Sequence, residues 1–135
     1  MNNFEALFAE YPCVLTDELV KAAAADILTN HFEENNNVEV WKQCLHSIDL
    51  TTLNGDDTTE KVETMAQRVN EFEDHFPNVP NVAAMCVYPA LVQTASDTLT
   101  EPIGIAAVAA GFPASQTFIE IKVAEAAMAV AAGAT

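Results

Sequence analysis

Basic residues are scarce in this 135-residue sequence: 5 lysines and arginines stand against 20 aspartates and glutamates, for a formal net charge of −15 at pH 7. Such an excess of negative charge repels nucleic-acid phosphates and anionic lipid head groups. We therefore expect no nucleic-acid partner and no membrane partner. The first ten residues carry acids where a secretory signal needs bases, so we expect a cytoplasmic protein.

Long hydrophobic runs are also missing. The most apolar stretch, residues 102–119, is interrupted by Gly104, Gly111 and Pro113, so we predict no transmembrane helix. The chain length excludes a complete (β/α)8 barrel, because such a barrel typically needs about 250 residues and this sequence has 135. Half of the residues are hydrophobic, which is enough to form the core of one domain.

Cysteine is sparse, and no metal-binding pattern is present. Cys13, Cys44 and Cys86 form an odd set without CxxC spacing, which argues against a disulfide framework and against a zinc site. We expect Cys13 and Cys44 to be small buried hydrophobic residues. The three histidines lack the i,i+4 spacing of a metal pair, so we expect surface or helix-capping histidines and no metal.

Phosphate-binding loops are absent as well. Neither GxxxxGK[ST] nor GxGxxG occurs, and we expect no cofactor. A phosphoacceptor receiver domain would combine an acidic pair such as Asp56 and Asp57 with an aspartate at the end of the third strand. The sequence has Ala109 and Ala110 at that point, which argues against such a domain.

The first 46 residues have helical patterns only. Apolar residues at helical spacing precede Pro12, Thr16 is followed by two acids as an N-cap would be, and a third apolar pattern spans residues 38–45. We therefore predict a domain organisation in which residues 1–46 form an N-terminal helical extension.

Residues 47–135 alternate between strand and helix patterns. The predicted strands are 47–53, 82–88 and 103–110. A helix pattern follows each strand, and Asp57 with Glu60 predicts a capping box at the start of the first of these helices. The continuously apolar second strand is typical of a strand that is covered on both faces. Strand–helix alternation indicates parallel strands joined by crossovers, so the predicted fold class is α/β with three β/α units.

Candidate site residues lie at the carboxyl ends of the strands, where parallel α/β folds bind ligands. Asp49 lies within a hydrophobic strand, where a carboxylate is unfavourable unless it is paired or hydrogen-bonded. It therefore has either a structural hydrogen-bonding role or a role in a site. Thr51 and Thr52 are more simply loop caps than ligand contacts, and Tyr88 is more simply a packing residue.

Three segments in this order resemble 2-deoxyribose-5-phosphate aldolase, a class I aldolase family. They are IDLTTLN at 48–54, GDDT at 55–58 and NVAAMCVYP at 81–89. The loop at 111–113 and the last helix fit the same family, so that the resemblance covers about residues 40–135. It implies a partial (β/α)8 TIM barrel in which residues 47–135 are the first three β/α units.

The resemblance also implies an activity and a site. Family members reversibly cleave 2-deoxy-D-ribose 5-phosphate, a small phosphosugar, to glyceraldehyde 3-phosphate and acetaldehyde in deoxyribonucleotide catabolism. A barrel lysine forms a Schiff base, and a second lysine lowers its pKa. By the motif match, Asp49 is a residue of the network around the lysines. Thr51, which shares that network, is a substrate-binding residue together with Leu53, Cys86 and Tyr88.

The lysines of this sequence depart from the family pattern. Lys21, Lys42, Lys61 and Lys122 all fall on predicted helices, and the family's active-site lysines follow later than its third β/α unit. We therefore expect a truncated, N-terminal portion of the aldolase that is inactive as an isolated chain and self-associates through unpaired strand edges. The alternative is a non-catalytic binding or assembly module, completed in trans by another chain.

Overall fold

A computed structural model describes residues 3–12 and 14–135. Cys13, which we predicted to be buried, lies outside the described residues. The chain divides into two compact units, one up to Val38 and the other from Glu39 to Thr135.

The described residues of the first unit form two helices, α1 (Asn3–Glu10) and α2 (Asp17–Asn35). Both were predicted from the apolar spacing, and Thr16 is confirmed as the N-cap of α2. Its hydroxyl oxygen accepts a hydrogen bond from the backbone N–H of Leu19 at 3.3 Å, which satisfies one of the free donors at the start of a helix. None of the described side chains of this unit is buried.

The second unit alternates strands and helices in the predicted order. Its elements are α3 (Val38–His46), β1 (Asp49–Thr51), α4 (Thr59–Asn70), α5 (Phe72–His75), β2 (Ala84–Val87), a 3-10 turn (Pro89–Leu91), α6 (Val92–Thr98), β3 (Gly104–Ala107) and α7 (Ile119–Ala131). Each strand is shorter than its sequence pattern, because only three or four residues per strand take part in the ladder. The flanking apolar residues belong to the loops.

The three strands form one parallel sheet in the order β1-β2-β3. Asp49 pairs with Ala84, and Ala84 pairs in turn with Gly104. Helices α4 and α6 lie in the two crossovers between these strands. The predicted α/β class with parallel strands is therefore confirmed.

The hydrophobic core joins one face of the sheet to α4 and α6. Its buried residues are Val62, Ala66, Val69, Val82, Met85, Val87, Val92, Ala95 and Ile105. Met85 and Val87 from the central strand are fully buried, and burying such a side chain stabilises the fold by roughly 1.5–3 kcal/mol. By contrast, α7 buries only Ala129.

The predicted capping box is wrong by one residue. Thr58, not Asp57, is the N-cap of α4, and its hydroxyl accepts a hydrogen bond from the backbone N–H of Lys61 at 3.2 Å. The Asp57 side chain turns back toward the end of β1, where other donors are available to it.

The prediction that Cys44 is buried also fails, while the predicted surface position of the histidines is confirmed. Cys44 is exposed on α3 instead of buried, because α3 buries none of its residues. His31 lies within α2, and His46 and His75 are the last residues of α3 and α5. All three are exposed.

Candidate functional site

The pleat of the sheet separates two sets of side chains. Leu50 pairs with Met85, which pairs with Ile105. Met85 and Ile105 belong to the core beneath α4 and α6, and Leu50 packs against that core. We call this surface the closed face. Successive side chains of a strand point to opposite sides, so the next residues along the strands lie on the other surface, the open face. Its members are Asp49, Thr51, Ala84, Cys86, Gly104 and Ala106.

The open face carries the polar candidates of the first two strands. Thr51 lies beside Cys86 in the register, and Cys86 is partly exposed as a free thiol. The Thr51 hydroxyl donates to the backbone carbonyl of Asp49 at 2.8 Å. This local bond agrees with the structural role expected for Thr51, and contact with a ligand stays a prediction.

Asp49 corrects one expectation from the sequence. We predicted a carboxylate confined within a hydrophobic strand, but Asp49 is exposed. The reason is that β1 lies at the edge of the sheet and that its neighbour on this face is the small side chain of Ala84. Water therefore reaches the carboxylate, and no buried partner is required to stabilise its charge.

The loops that follow β1 and β2 are joined by hydrogen bonds. The backbone N–H of Thr52 donates to the carbonyl of Cys86 at 3.0 Å, which extends the ladder by one bond. The Tyr88 hydroxyl then donates to the carbonyl of Leu53 at 3.1 Å. The structure therefore brings Leu53, Cys86 and Tyr88 together at the carboxyl ends of these strands.

Asp57, an acidic residue that was not among the predicted site residues, organises this region. The side chain of Asp57 is only 1% exposed. It accepts hydrogen bonds from the Thr52 hydroxyl at 2.9 Å, from the backbone N–H of Asn54 at 3.0 Å and from the Lys61 ammonium at 2.5 Å. The i,i+4 spacing of Asp57 and Lys61 indicates the ion pair, but no comparable spacing indicates the contact between Asp57 and Thr52.

The charge of this network follows from its geometry. The Lys61 ammonium is the main cause that lowers the pKa of Asp57 to about 2, and it outweighs the burial that acts to raise it. The donors from Asn54 and Thr52 lower the pKa further. In return, the hydrogen bond to Asp57 raises the pKa of Lys61. The pair is thus ionised at neutral pH.

A groove of about 880 Å³ opens beside the network. Its lining includes Asn54, Asp57 and Tyr88 from the strand-end loops and Ile121, Glu125 and Met128 from α7. None of its lining residues is a lysine, an arginine or a histidine. Because it combines two carboxylates with apolar side chains, the groove does not suit a phosphate group.

All four lysines lie on helices, as predicted. Lys21 is in α2, Lys42 in α3, Lys61 in α4 and Lys122 in α7. Over residues 3–12 and 14–135, no group of three or more His, Cys, Asp or Glu side chains is placed to hold a metal ion. No helix within the same ranges is long and apolar enough to cross a membrane.

Known proteins resemble this chain in sequence and in structure. No family model matches it. A Caenorhabditis elegans protein is 36% identical to this chain over 102 residues, or 73% of the chain. That protein is named provisionally as a deoxyribose-phosphate aldolase. The human deoxyribose-phosphate aldolase is 38% identical over 100 residues, or 65% of this chain.

A solved structure gives the same result. A Coccidioides immitis protein, also named provisionally as a deoxyribose-phosphate aldolase, superposes with a TM-score of 0.58 at 26% identity. The superposition covers 69% of this chain and 34% of the other. Together with the parallel sheet, this match defines the described β/α units as a partial (β/α)8 barrel.

The family resemblance predicted from the motifs is therefore confirmed over part of the chain. The chain is related to deoxyribose-phosphate aldolases in both sequence and fold. It spans about a third of the length of the curated relatives that it matches, 33% and 31% for the nematode and human proteins.

Proposed function

We propose that residues 47–135 supply the first three β/α units of a deoxyribose-phosphate aldolase barrel and that residues 1–46 are an appended helical extension. The chain by itself does not cleave 2-deoxy-D-ribose 5-phosphate. One observation carries this proposal. Asp49, Thr51 and Cys86 share the open face of the sheet, which supports their assignment to one site, whereas every lysine lies on a helix.

The chemistry explains why that observation matters. A class I aldolase needs a neutral amine that attacks the carbonyl carbon of its substrate and forms a Schiff base. Lys61 is the lysine bonded to the strand-end network, and its hydrogen bond to Asp57 raises its pKa. A protonated ammonium has no lone pair with which to attack. Lys61 is therefore a structural cation, and the amine must come from elsewhere in a complete barrel.

The candidate residues then take the roles that the family resemblance suggests. Asp49 belongs to the hydrogen-bond network around the amine. Thr51, Leu53, Cys86 and Tyr88 contact a small phosphosugar. Their proximity at the ends of β1 and β2 supports these roles. The reaction uses no metal and no cofactor, and the protein works in the cytoplasm without nucleic-acid or membrane partners.

The isolated chain self-associates, or it associates with the remainder of a barrel. Strand β1 has a partner in the sheet on one side only, and unpaired strand edges favour association. Large apolar side chains of α7 are also exposed, including Ile119 at 65% and Met128 at 72%. Size-exclusion chromatography with light scattering should show species larger than a monomer at micromolar concentration. A clean monomer would contradict self-association.

Complementation tests the proposed function. The 135-residue chain is mixed with a human deoxyribose-phosphate aldolase from which the matched segment has been deleted, and cleavage of 2-deoxy-D-ribose 5-phosphate is followed. We expect no activity from either component and measurable activity from the mixture. Asp49→Asn should abolish that activity, whereas Asp56→Asn, the same chemical change at an exposed position of the following loop, should retain it.

The other outcomes are also informative. Activity of the chain alone would overturn the proposal that it lacks the required amine. A stable complex that remains inactive would favour the alternative, a non-catalytic binding or assembly module. In that case the open face would serve binding and not catalysis.

A further inference from the structure

The Asp57 carboxylate is hydrogen-bonded to the residues on both sides of Leu53. It accepts from the Thr52 hydroxyl, which precedes Leu53, and from the backbone N–H of Asn54, which follows it. A second, longer contact joins the Asn54 side-chain amide to the same carboxylate at 3.4 Å. Because the residues on both sides of Leu53 are hydrogen-bonded to one nearly buried carboxylate, the position of the Leu53 backbone is fixed.

The carbonyl of Leu53 in turn determines where the Tyr88 hydroxyl lies. That hydroxyl donates to it at 3.1 Å across the two strand-end loops. A chain of contacts therefore runs from the Asp57 carboxylate, through the Leu53 backbone, to the Tyr88 side chain. Lys61 lies in the first turn of α4 and donates to the same carboxylate, so it anchors the other end of this series of contacts.

Helix capping does not account for Asp57. Thr58 already satisfies the backbone N–H of Lys61 at the start of α4. The backbone donor that Asp57 satisfies belongs to the preceding loop, not to α4. A carboxylate that is only 1% exposed requires several strong donors, and the preceding loop and Lys61 provide them.

We infer that Asp57 is a positioning residue for Tyr88. It acts through the backbone of Leu53 and sets the place of the Tyr88 hydroxyl at the carboxyl ends of β1 and β2. The significance of that hydroxyl for a phosphosugar rests on the proposed function, but the positioning itself does not. Asp57 itself contacts no substrate in this scheme.

Nuclear magnetic resonance of the full chain tests the inference directly. The sequence contains two tyrosines, Tyr11 and Tyr88, so labelling tyrosine at the ring carbon that bears the hydroxyl gives two resonances. Tyr11→Phe assigns them. In Asp57→Asn we expect the Tyr88 resonance to move toward its position in the unfolded chain, while the Tyr11 resonance stays unchanged. Exchange of the Asn54 amide proton should become about tenfold faster, the factor expected from loss of one hydrogen bond.

Matched variants separate positioning from general destabilisation. Asp56→Asn removes the same charge from the neighbouring exposed residue and should move neither signal. Methyl resonances of Met85 and Ile105 on the closed face report whether the core is intact, and they should keep their wild-type shifts. If Asp57→Asn does not fold, Lys61→Met replaces it, because Lys61 is 46% exposed and its loss releases the anchor of the carboxylate. We expect a smaller displacement of Tyr88 in the same direction.

The inference is overturned if the Tyr88 resonance of a folded Asp57→Asn or Lys61→Met chain stays at its wild-type position. It is also overturned if Asp56→Asn moves that resonance equally. The measurement involves no substrate and no second chain. A failure here therefore leaves the complementation test untouched, and a failure of complementation leaves the Tyr88 result standing.

Discussion

The two faces of the sheet differ in the size and the exposure of their side chains. On the closed face, Met85 is fully buried and Ile105 is 7% exposed beneath α4 and α6. On the open face, Thr51 is exposed, and Cys86 and Ala106 are partly so. The difference shows how the short strand β2 separates two tasks: Met85 and Val87 hold the layers together, and Cys86 between them remains available for contacts with other groups.

Shortening a side chain on the closed face should cause the largest loss in the free energy of unfolding. Met85→Ala removes a fully buried side chain and leaves a cavity, so we expect a loss of about 2–5 kcal/mol in the free energy of unfolding. Cys86→Ala, one residue away on the open face, should cost less than about 1.5 kcal/mol. Urea unfolding followed by circular dichroism measures both. Equal losses would contradict the division between the faces.

The next largest loss of stability is expected at Asn81, a buried polar residue that precedes β2. The side-chain amide of Asn81 donates to the carbonyl of Val69 at 2.8 Å, and its oxygen accepts from the N–H of Val82 at 2.9 Å. Asn81→Ala leaves these groups unsatisfied, so we expect a loss of about 1–3 kcal/mol. Asn30→Ala, at an exposed position of α2, serves as the control in the same unfolding experiment. A loss no larger than that of the control would show that water replaces the Asn81 side chain.

The N-cap of α4 should contribute less. Thr58→Ala removes the hydroxyl that accepts from the Lys61 N–H, and we expect a loss of about 1 kcal/mol. Thr59→Ala, at the first residue of the helix, should be close to neutral. Thermal unfolding of both variants checks the assignment. If Thr59→Ala cost as much as Thr58→Ala, Thr58 would not be the cap.

The smallest expected effect is a dependence on pH. The pKa of Asp57 is lowered from 3.8 to about 2 in the folded chain, so its stabilising contribution is present above pH 3.8 and is lost as the pH falls through about 2. The stability difference between wild type and Asp57→Asn should therefore shrink over that interval. Because Lys61 is 46% exposed, solvent weakens the ion pair. Urea midpoints measured between pH 5 and 2 test this, and a difference that grows on acidification would contradict it.

Much of the fold could be predicted from periodicity. The helix that begins after Thr16 and the order of the β/α units follow from apolar spacing that is strong over many residues. The ends of the strands could not be predicted, because a ladder ends where its neighbour ends. The 82–88 run suggested a strand covered on both faces, whereas Cys86 remains partly exposed.

The site was predictable only where the signal was local or carried by a motif. Asp57 and Thr58 are both good capping residues, and the sequence cannot decide between them. The choice is made by the Thr52 hydroxyl and the Asn54 amide, which draw Asp57 toward the loop. The exposure of Asp49 likewise depends on the position of β1 at the edge of the sheet, a property that no single segment encodes.

Borohydride trapping with acetaldehyde tests most directly whether this chain contains a Schiff-base lysine. The chain is treated with one equivalent of acetaldehyde and with borohydride, and peptide mass mapping compares each lysine in the folded chain and in the urea-unfolded chain. We predict that no lysine gains an ethyl group faster when the chain is folded, since all four lie on helices and the pKa of Lys61 is raised. Selective ethylation of any one lysine in the folded chain would contradict this and would show that the chain carries its own catalytic amine.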